Sequence, residues 1–296
     1  MKNKQILSHL AMLGVTLIYS LNYFISKEVF LHISAFGVLA IRGIFALSFF
    51  GIMGKIVYKQ AIDWKTDGWR ILACAVSGII CNQIFFLSGL ARTTEINAAV
   101  LMITSPIFVF LLAYLSGVEK LTWQKILGVI IAFTGAVLLM TAGKNISLGE
   151  NTLVGDMLII LNAIAYSTYL ILVKPLIQKY NNFVLFAVLF SISACVNIPL
   201  GIPNLRQVDW GNLSAHIYYG IFYIGICTTI LAYALNAWAM RFVPASYVGI
   251  YVYLQPVLAF ALSLFLRAGV ITWQKTGYIF LVFLGVGMVM FKKREK

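Results

Sequence analysis

The stretch from Ala91 to Met140, ARTTEINAAVLMITSPIFVFLLAYLSGVEKLTWQKILGVIIAFTGAVLLM, returns in degenerate form near the C-terminus as MRFVPASYVGIYVYLQPVLAFALSLFLRAGVITWQKTGYIFLVFLGVGMVM. Pro106 answers to Pro256, Thr122-Trp123-Gln124-Lys125 to Thr272-Trp273-Gln274-Lys275, Gly135 to Gly285 and Met140 to Met290, each pair 150 positions apart in a chain of 296. One half repeats the other, so any architecture the chain adopts must be buildable twice. Each copy holds two apolar runs, with no charged residue between Glu95 and Glu119 or between Lys125 and Lys144. At about 1.5 Å of rise per residue, roughly 20 such residues cross a hydrocarbon core about 30 Å thick. The runs read as membrane-spanning helices.

Composition removes the competing classes. With 61% hydrophobic residues, 10% charged residues and a mean hydropathy of +0.94, the chain could not cover a water-facing surface. A transmembrane barrel needs alternating segments of roughly ten residues, and these runs have no such period. The net charge of +13 comes from Lys and Arg in short loops and at the C-terminus rather than from an aromatic-laced basic patch, which speaks for membrane orientation and against nucleic acid. Cys74, Cys81, Cys195 and Cys227 all fall within apolar runs without metal spacing and read as small buried hydrophobes. No metal or cofactor is expected. The first apolar run reaches Lys27 without a small-residue cleavage site, which predicts a retained helix rather than a signal peptide.

Cutting at charges and turn residues predicts an all-α membrane protein of ten spans: 6–26, 34–54, 70–90, 95–116, 124–142, 155–173, 182–202, 215–238, 243–266 and 274–291. The expected division is a first five-helix repeat over 1–142, an inter-repeat loop over 143–154 and a second five-helix repeat with a basic tail over 155–296. An odd number of spans per repeat inserts the second copy upside down. The starts of the halves agree, since Tyr19, Ser20 and Lys27 correspond to Tyr166, Ser167 and Lys174 at an offset of 147. Inverted repeats are a hallmark of secondary transporters, because exchanging the conformations of the halves turns an outward-open cavity into an inward-open one.

With the small-rich stretch, the Ser105-Pro106 step, the turn Gly117-Val118-Glu119-Lys120-Leu121-Thr122 and the Gly-rich helix after it, the repeat resembles that of the drug/metabolite transporter superfamily, specifically the ten-helix EamA-type permeases. Arg42 in GVLAIRGIFAL resembles the arginine this family places in helix two, and Gly155-Asp156 opening helix six also fits. One departure is that Gly269 stands where the second copy would carry the counterpart of Glu119. The resemblance implies a transporter of amino acids or other metabolites, commonly an exporter.

Candidate solute-binding residues are the polar and aromatic positions of the spans, above all those related by the repeat: Tyr19 with Tyr166, Gln83 with Tyr233, Asn97 with Tyr247 and Ser105 with Gln255, joined by Asn22 and Tyr169. Asn197, Thr228 and Thr229 are expected to serve helix–helix hydrogen bonding. Pro106 and Pro256 read as hinges that free a backbone carbonyl, with a plain kink as the competing reading. Arg42 is grouped with them as structural, because an early position in helix two lets a guanidinium snorkel to the interface, although packing and solute contact both remain open. Glu95 and Asp156 read as acids placed at helix N-termini.

No His-Glu-x-x-His motif, paired intramembrane acids or Ser/His constellation supports an enzyme. The expectation is a secondary transporter in the plasma membrane, exporting amino acids, aromatic or other small organic metabolites. The alternatives are a passive facilitator, a carrier of phosphorylated or nucleotide-sugar-like solutes and, more remotely, a lipid-modifying enzyme. Both termini are predicted to be cytoplasmic: that orientation puts 15 Lys and Arg on the inner side against 6 on the outer, with Arg42 inside a span. In a cysteine-free background, cysteine replacing Ser147 is expected to react with an impermeant maleimide added to intact cells and cysteine replacing Lys120 is not; the reverse pattern overturns the orientation.

Overall fold

The computed structural model describes residues 2–57, 60–141, 150–265 and 272–290. Among them there is no strand, and ten helices are long and apolar enough to cross a membrane. They are α1 (Lys4–Phe30), α2 (Ala35–Lys55), α3 (Trp64–Arg92), α4 (Asn97–Leu115) and α5 (Trp123–Thr141), then α6 (Thr152–Lys179), α7 (Asn182–Leu205), α8 (Ala215–Met240), α9 (Ala245–Leu262) and α10 (Trp273–Met290). All ten expected spans are present. α3 and α6 start furthest ahead of where charge counting suggested. The Asp63 side chain accepts from the Thr66 backbone N–H at 3.2 Å and caps α3, so the polar turn before Arg70 is already helical. The helix of α6 extends back to Glu150, so the end of the expected 143–154 loop is helical, while 142–149 lies outside the described residues.

The outer surface is apolar and the interior carries the polar side chains, the reverse of a water-soluble fold. Trp123 and Trp273 are 79% and 94% exposed, whereas Asn22, Arg42, Gln83, Asn162 and Asn197 are buried. Connections are short, so successive helices run in opposite directions. Odd-numbered helices leave the end of the molecule that carries Lys4, and even-numbered helices return to it.

Packing relates the halves. α2 lies on α7 and α5 on α10, pairing equivalent helices. The contact of α3 with α6 has its counterpart in α8 with α1, and that of α4 with α6 in α9 with α1. Glycines make the equivalent-helix contacts possible, and Gly201 and Gly285 stand at the tightest of them. A Cβ on Gly201 of α7 would stand 2.1 Å from the Phe36 carbonyl oxygen of α2, and one on Gly285 of α10 would stand 2.4 Å from the Gly128 carbonyl oxygen and the Ala132 nitrogen of α5. Without water to drive helices together, this backbone-to-backbone approach supplies the association.

The turn between α4 and α5 is set by Gly117, whose φ of 68° lies in the left-handed region that favours glycine. The chain folds back so that the N–H groups of Val118 and Glu119 both reach the Ala113 carbonyl, at 3.0 and 3.1 Å. This aims Glu119 at α9. The Gly269 counterpart lies outside the described residues.

Gly285→Val is expected to lower the thermal unfolding midpoint in detergent, by overpacking worth about 1–3 kcal/mol. Gly277→Val on the same helix, where nothing stands within 4 Å of the new methyl position, serves as the control. Equal midpoints for the two variants would show that α5 and α10 do not meet through Gly285.

Candidate functional site

Besides a π-helical turn at Met53–Val57 where α2 ends, four helices lose their regular α geometry along their length, in equivalent pairs. α3 carries a π-helical stretch at Val76–Cys81 and α8 one at Tyr223–Leu231. α4 is interrupted at Ile103 and Thr104, and α9 passes through a 3₁₀ segment at Tyr251–Leu254. The cause in α4 and α9 is proline. Pro106 and Pro256 have no N–H, so nothing at those positions donates to the carbonyls of Met102 and Val252, four residues earlier. In α4 the chain tightens instead, Ile103 bonding the Val100 carbonyl at 3.2 Å and Thr104 the Leu101 carbonyl at 3.0 Å.

A cavity of ≈ 70 Å³ lies beside these irregular segments, lined by Val252 and by Asn82, Gln83, Met102, Tyr233 and Gln255, which stand next to or close after them. Its wall contains three pairs related by the repeat: Tyr19 and Tyr166, Gln83 and Tyr233, Met102 and Val252. The last pair consists of the residues four positions before the prolines, and there the Val252 carbonyl accepts from the Gln255 N–H instead. Asn22, Arg42, Asn82, Asn162 and Gln255 add polar groups, and Tyr23 and Phe86 close the wall with an edge-on ring contact at 5.7 Å. At about one probe sphere of 10–15 Å³ per molecule, the space holds several waters or one small solute.

Tyr233 joins the cavity to an aromatic cluster below it. Its ring meets Phe190 edge-on at 5.3 Å and Phe186 at 5.9 Å, and Phe190 stacks on Phe50 at 5.4 Å. Its hydroxyl donates to the Gly78 carbonyl in the π-helical stretch of α3 at 2.9 Å. Beside it, Tyr169 occupies the space left at Gly78, where a Cβ would lie 2.1 Å from the ring. A second space of ≈ 10 Å³ lies against Tyr19, Tyr166, Val252 and Gln255 and is lined also by Thr16, Asn236 and Tyr251. The Tyr251 hydroxyl is 2.9 Å from Nδ1 of His9 on α1. Tyr19, Tyr166 and Gln255 thus stand between two chambers, the smaller leading toward the Lys4 end.

The structure brings six of the ten candidate residues to the cavity: Tyr19, Asn22, Gln83, Tyr166, Tyr233 and Gln255. The other four stand elsewhere. Ser105 shares a 3.3 Å hydroxyl contact with Ser167 and its carbonyl accepts from that serine at 3.0 Å, joining α4 to α6. Tyr247 donates to the Met290 carbonyl at 2.9 Å, Asn97 lies beside Asp156 at 3.5 Å, and Tyr169 packs on Gly78. Thr228 and Thr229 bond the Ile224 carbonyl of their own helix, and neither amide atom of Asn197 has a hydrogen-bond partner, so the helix–helix bonding expected of these three is not what they do. Arg42 also departs from expectation. It is 5% exposed and lines the cavity instead of snorkelling, because α2 packs between α7 and α8 and turns this face inward. Met102 and Val252 were missed, although counting four residues back from each proline finds both.

Acids cap the two broken helices from outside the repeat pattern. Asp156 at the start of α6 accepts from the Thr93 hydroxyl at 2.5 Å beside the N-terminus of α4. Glu119 accepts from the Ser246 hydroxyl at 2.7 Å at the N-terminus of α9 and pairs with Lys125 at 3.0 Å. Two equivalent lysines hold the preceding turns: Lys27 donates to the Thr93 carbonyl at 2.5 Å, and Lys174 to those of Val243 and, at 2.9 Å, Met240. At the Lys4 end, Lys179 bridges Asp67 at 2.6 Å and Asp63 at 3.7 Å. Hydrogen bonds from Thr66 hold the Asp63 carboxyl below the usual range.

The profile of the EamA-like transporter family matches residues 6–141 and again 153–291. The chain belongs to this family. It is therefore a multi-pass membrane protein of a transporter family. A protein of Archaeoglobus fulgidus named as an uncharacterized transporter is 26% identical over 70% of this chain and 71% of its own length, and a second from the same organism is 24% identical over 88% and 90%. A WAT1-related protein of Arabidopsis thaliana is 25% identical over 63% of this chain and 58% of its own. One solved crystal structure superposes with a TM-score of 0.77 over 100% of this chain and 99% of that one at 16% identity, a likeness of fold.

Asp156→Asn is expected to cost about 1.5–3 kcal/mol of stability, the range for hydrogen bonds to a charged group, and to leave any response of transport to a pH gradient unchanged. Loss of that response in folded protein would make Asp156 a proton site rather than a helix cap.

Proposed function

We propose that this protein is a secondary transporter working by alternating access, with the two halves as inverted repeats and the cavity as the solute site. The observation that carries the reading is the cavity wall, built from equivalent residues of both halves where four helices break. A site lined by both repeats is what exchange of their conformations requires. The paired packing of α3 with α6 and α8 with α1 supports the same exchange.

The solute is a small, partly apolar organic metabolite, with amino acids and aromatic compounds the first to test and export the direction. Ring faces of Tyr19, Tyr23, Phe86 and Tyr166 offer apolar contact, and the amides of Gln83 and Asn162 orient polar groups. A phosphorylated or nucleotide-sugar-like solute fits less well, because the wall holds one cation, Arg42. The aromatic cluster below Tyr233 and the Asp67–Lys179 bridge close the Lys4 end, which the charge asymmetry assigns to the cytoplasm of a plasma-membrane protein with both termini inside.

Uptake and counterflow of labelled amino acids in reconstituted vesicles, with and without a pH gradient, tests the reading. Accumulation or exchange of at least one solute above protein-free vesicles is expected. Tyr166→Ala is expected to weaken binding of that solute about tenfold, the order of one lost aromatic contact. Tyr233→Phe, which keeps the ring and removes only the bond to Gly78, should retain binding while lowering transport. Unchanged affinity in Tyr166→Ala would return that residue to helix packing.

A further inference from the structure

Arg42 is the one cavity group whose bonding is left open in a way that specifies chemistry. Its side chain sits among buried α2 residues at 5% exposure and makes no hydrogen bond or ion pair with any described residue; Nε is buried without a partner, and the guanidinium faces the cavity. The groups nearest in charge interaction are the neutral phenols of Tyr19 and Tyr233, and no aspartate or glutamate lines the cavity. A guanidinium taken this far from water needs an anion or a set of acceptors, since leaving it unpaired is costly. Among the described residues no anion lines the cavity and no acceptor is bonded to Arg42. Around it stand further unmet groups: both amide atoms of Gln83 and Oδ1 of Asn162, each buried without a partner. The lysines close to the membrane interior are committed elsewhere, Lys27 and Lys174 to the carbonyls that end α3 and α8.

We infer that Arg42 is the binding site for the single carboxylate of the transported solute, which enters as the missing counter-ion. The planar fork of the guanidinium matches a carboxylate in two parallel hydrogen bonds. One fixed positive charge balances one negative charge and leaves a phosphate dianion in excess, so the class is a monocarboxylate with an apolar or aromatic body lying along the tyrosine faces. The free acceptors on Gln83 and Asn162 suit a donor, such as an amino or hydroxyl group, elsewhere on the solute. This deepens the transporter reading and rests on the cavity being the solute site.

The test needs no transport. The purified full-length protein is heated in detergent with phenylalanine, phenylacetate, phenylalaninamide or phenethylamine at about 10 mM, above the usual range of metabolite affinities. A ligand that binds the native state raises the unfolding midpoint. The two carboxylates are expected to raise it, and the amide and the amine are not. Arg42→Gln should weaken the acids by about tenfold or more while Arg42→Lys keeps part of the effect. Gln83→Glu, which places a carboxylate in the same wall, should stabilise the unliganded protein and abolish the response to the acids. That variant keeps the test decisive if Arg42→Gln fails to fold. An equal response to the amide or amine, an unchanged response in Arg42→Gln or in Gln83→Glu, or no response to either acid overturns the assignment. Acids that bind but are never moved across vesicle membranes would leave Arg42 as a carboxylate site and overturn the transporter reading alone.

Discussion

In hydrocarbon nothing outside the protein can bond a free backbone carbonyl, so a helix can break only where other protein groups or enclosed water take up the freed bond. The rest of this structure depends on that constraint. Pro106 and Pro256 remove the donors for Met102 and Val252, and the π-helical stretches of α3 and α8 disturb the ladder at the same level. The breaks are tolerated because they face one another across a polar space. Gly78 shows how local the solution is: its carbonyl in the π-helical stretch of α3 takes the Tyr233 hydroxyl, while its missing side chain admits the Tyr169 ring. The cavity therefore lies beside the places where the backbone could not remain regular.

Much of this was legible in the sequence, for a physical reason. Spans are set by a thickness, and thickness is counted in residues, so ten apolar runs gave ten helices. The repeat offset found Tyr19 with Tyr166 and Gln83 with Tyr233, since equivalent residues in two copies occupy equivalent depths. The same rule placed Asn97 with Tyr247 and Ser105 with Gln255, and there it failed. Equivalence says nothing about which way a side chain points: Tyr247 turns to the end of α10 and Ser105 to Ser167, while Gln255 faces the cavity. Arg42 was misplaced because depth was counted from its helix start, whereas the neighbours α7 and α8 decide what that face of α2 meets.

The two copies solve one electrostatic problem with different residues. Each broken helix points an N-terminus, with its positive end of the dipole, into protein rather than water. At α9 the acid is Glu119, delivered across the molecule by the left-handed turn at Gly117. At α4 the acid is Asp156, and it comes from the other half. Conversely, Lys27 and Lys174 do the same work at equivalent positions within their own halves. These lysine bonds keep the symmetry of the repeat and the acid bonds do not, while the serine bonds between the halves, Ser20 to the Gln255 carbonyl at 3.2 Å and Ser167 to that of Ser105 at 3.0 Å, keep it as well.

The asymmetry extends to the two ends of the cavity. Toward the Lys4 end, Tyr233 leans on Phe190 and Phe186, and Asp67, Lys179 and Tyr180 tie α3 to α6 through charged hydrogen bonds. Toward the other end, bonds between the halves include those to Asp156, that of Asn162 to the Asn82 carbonyl at 2.7 Å and the half-exposed contact of Glu28 with His216 at 3.6 Å. A ring cluster resists opening through lost apolar contact, and a buried carboxylate resists it through desolvation, so the Lys4 end is closed by both terms together. The small chamber under Tyr19 and Tyr166 lies on that closed side and leads to Tyr251 and His9. Tyr19 and Tyr166, one from each copy, line both spaces, so the contact between the copies at this level is also the partition between the two chambers.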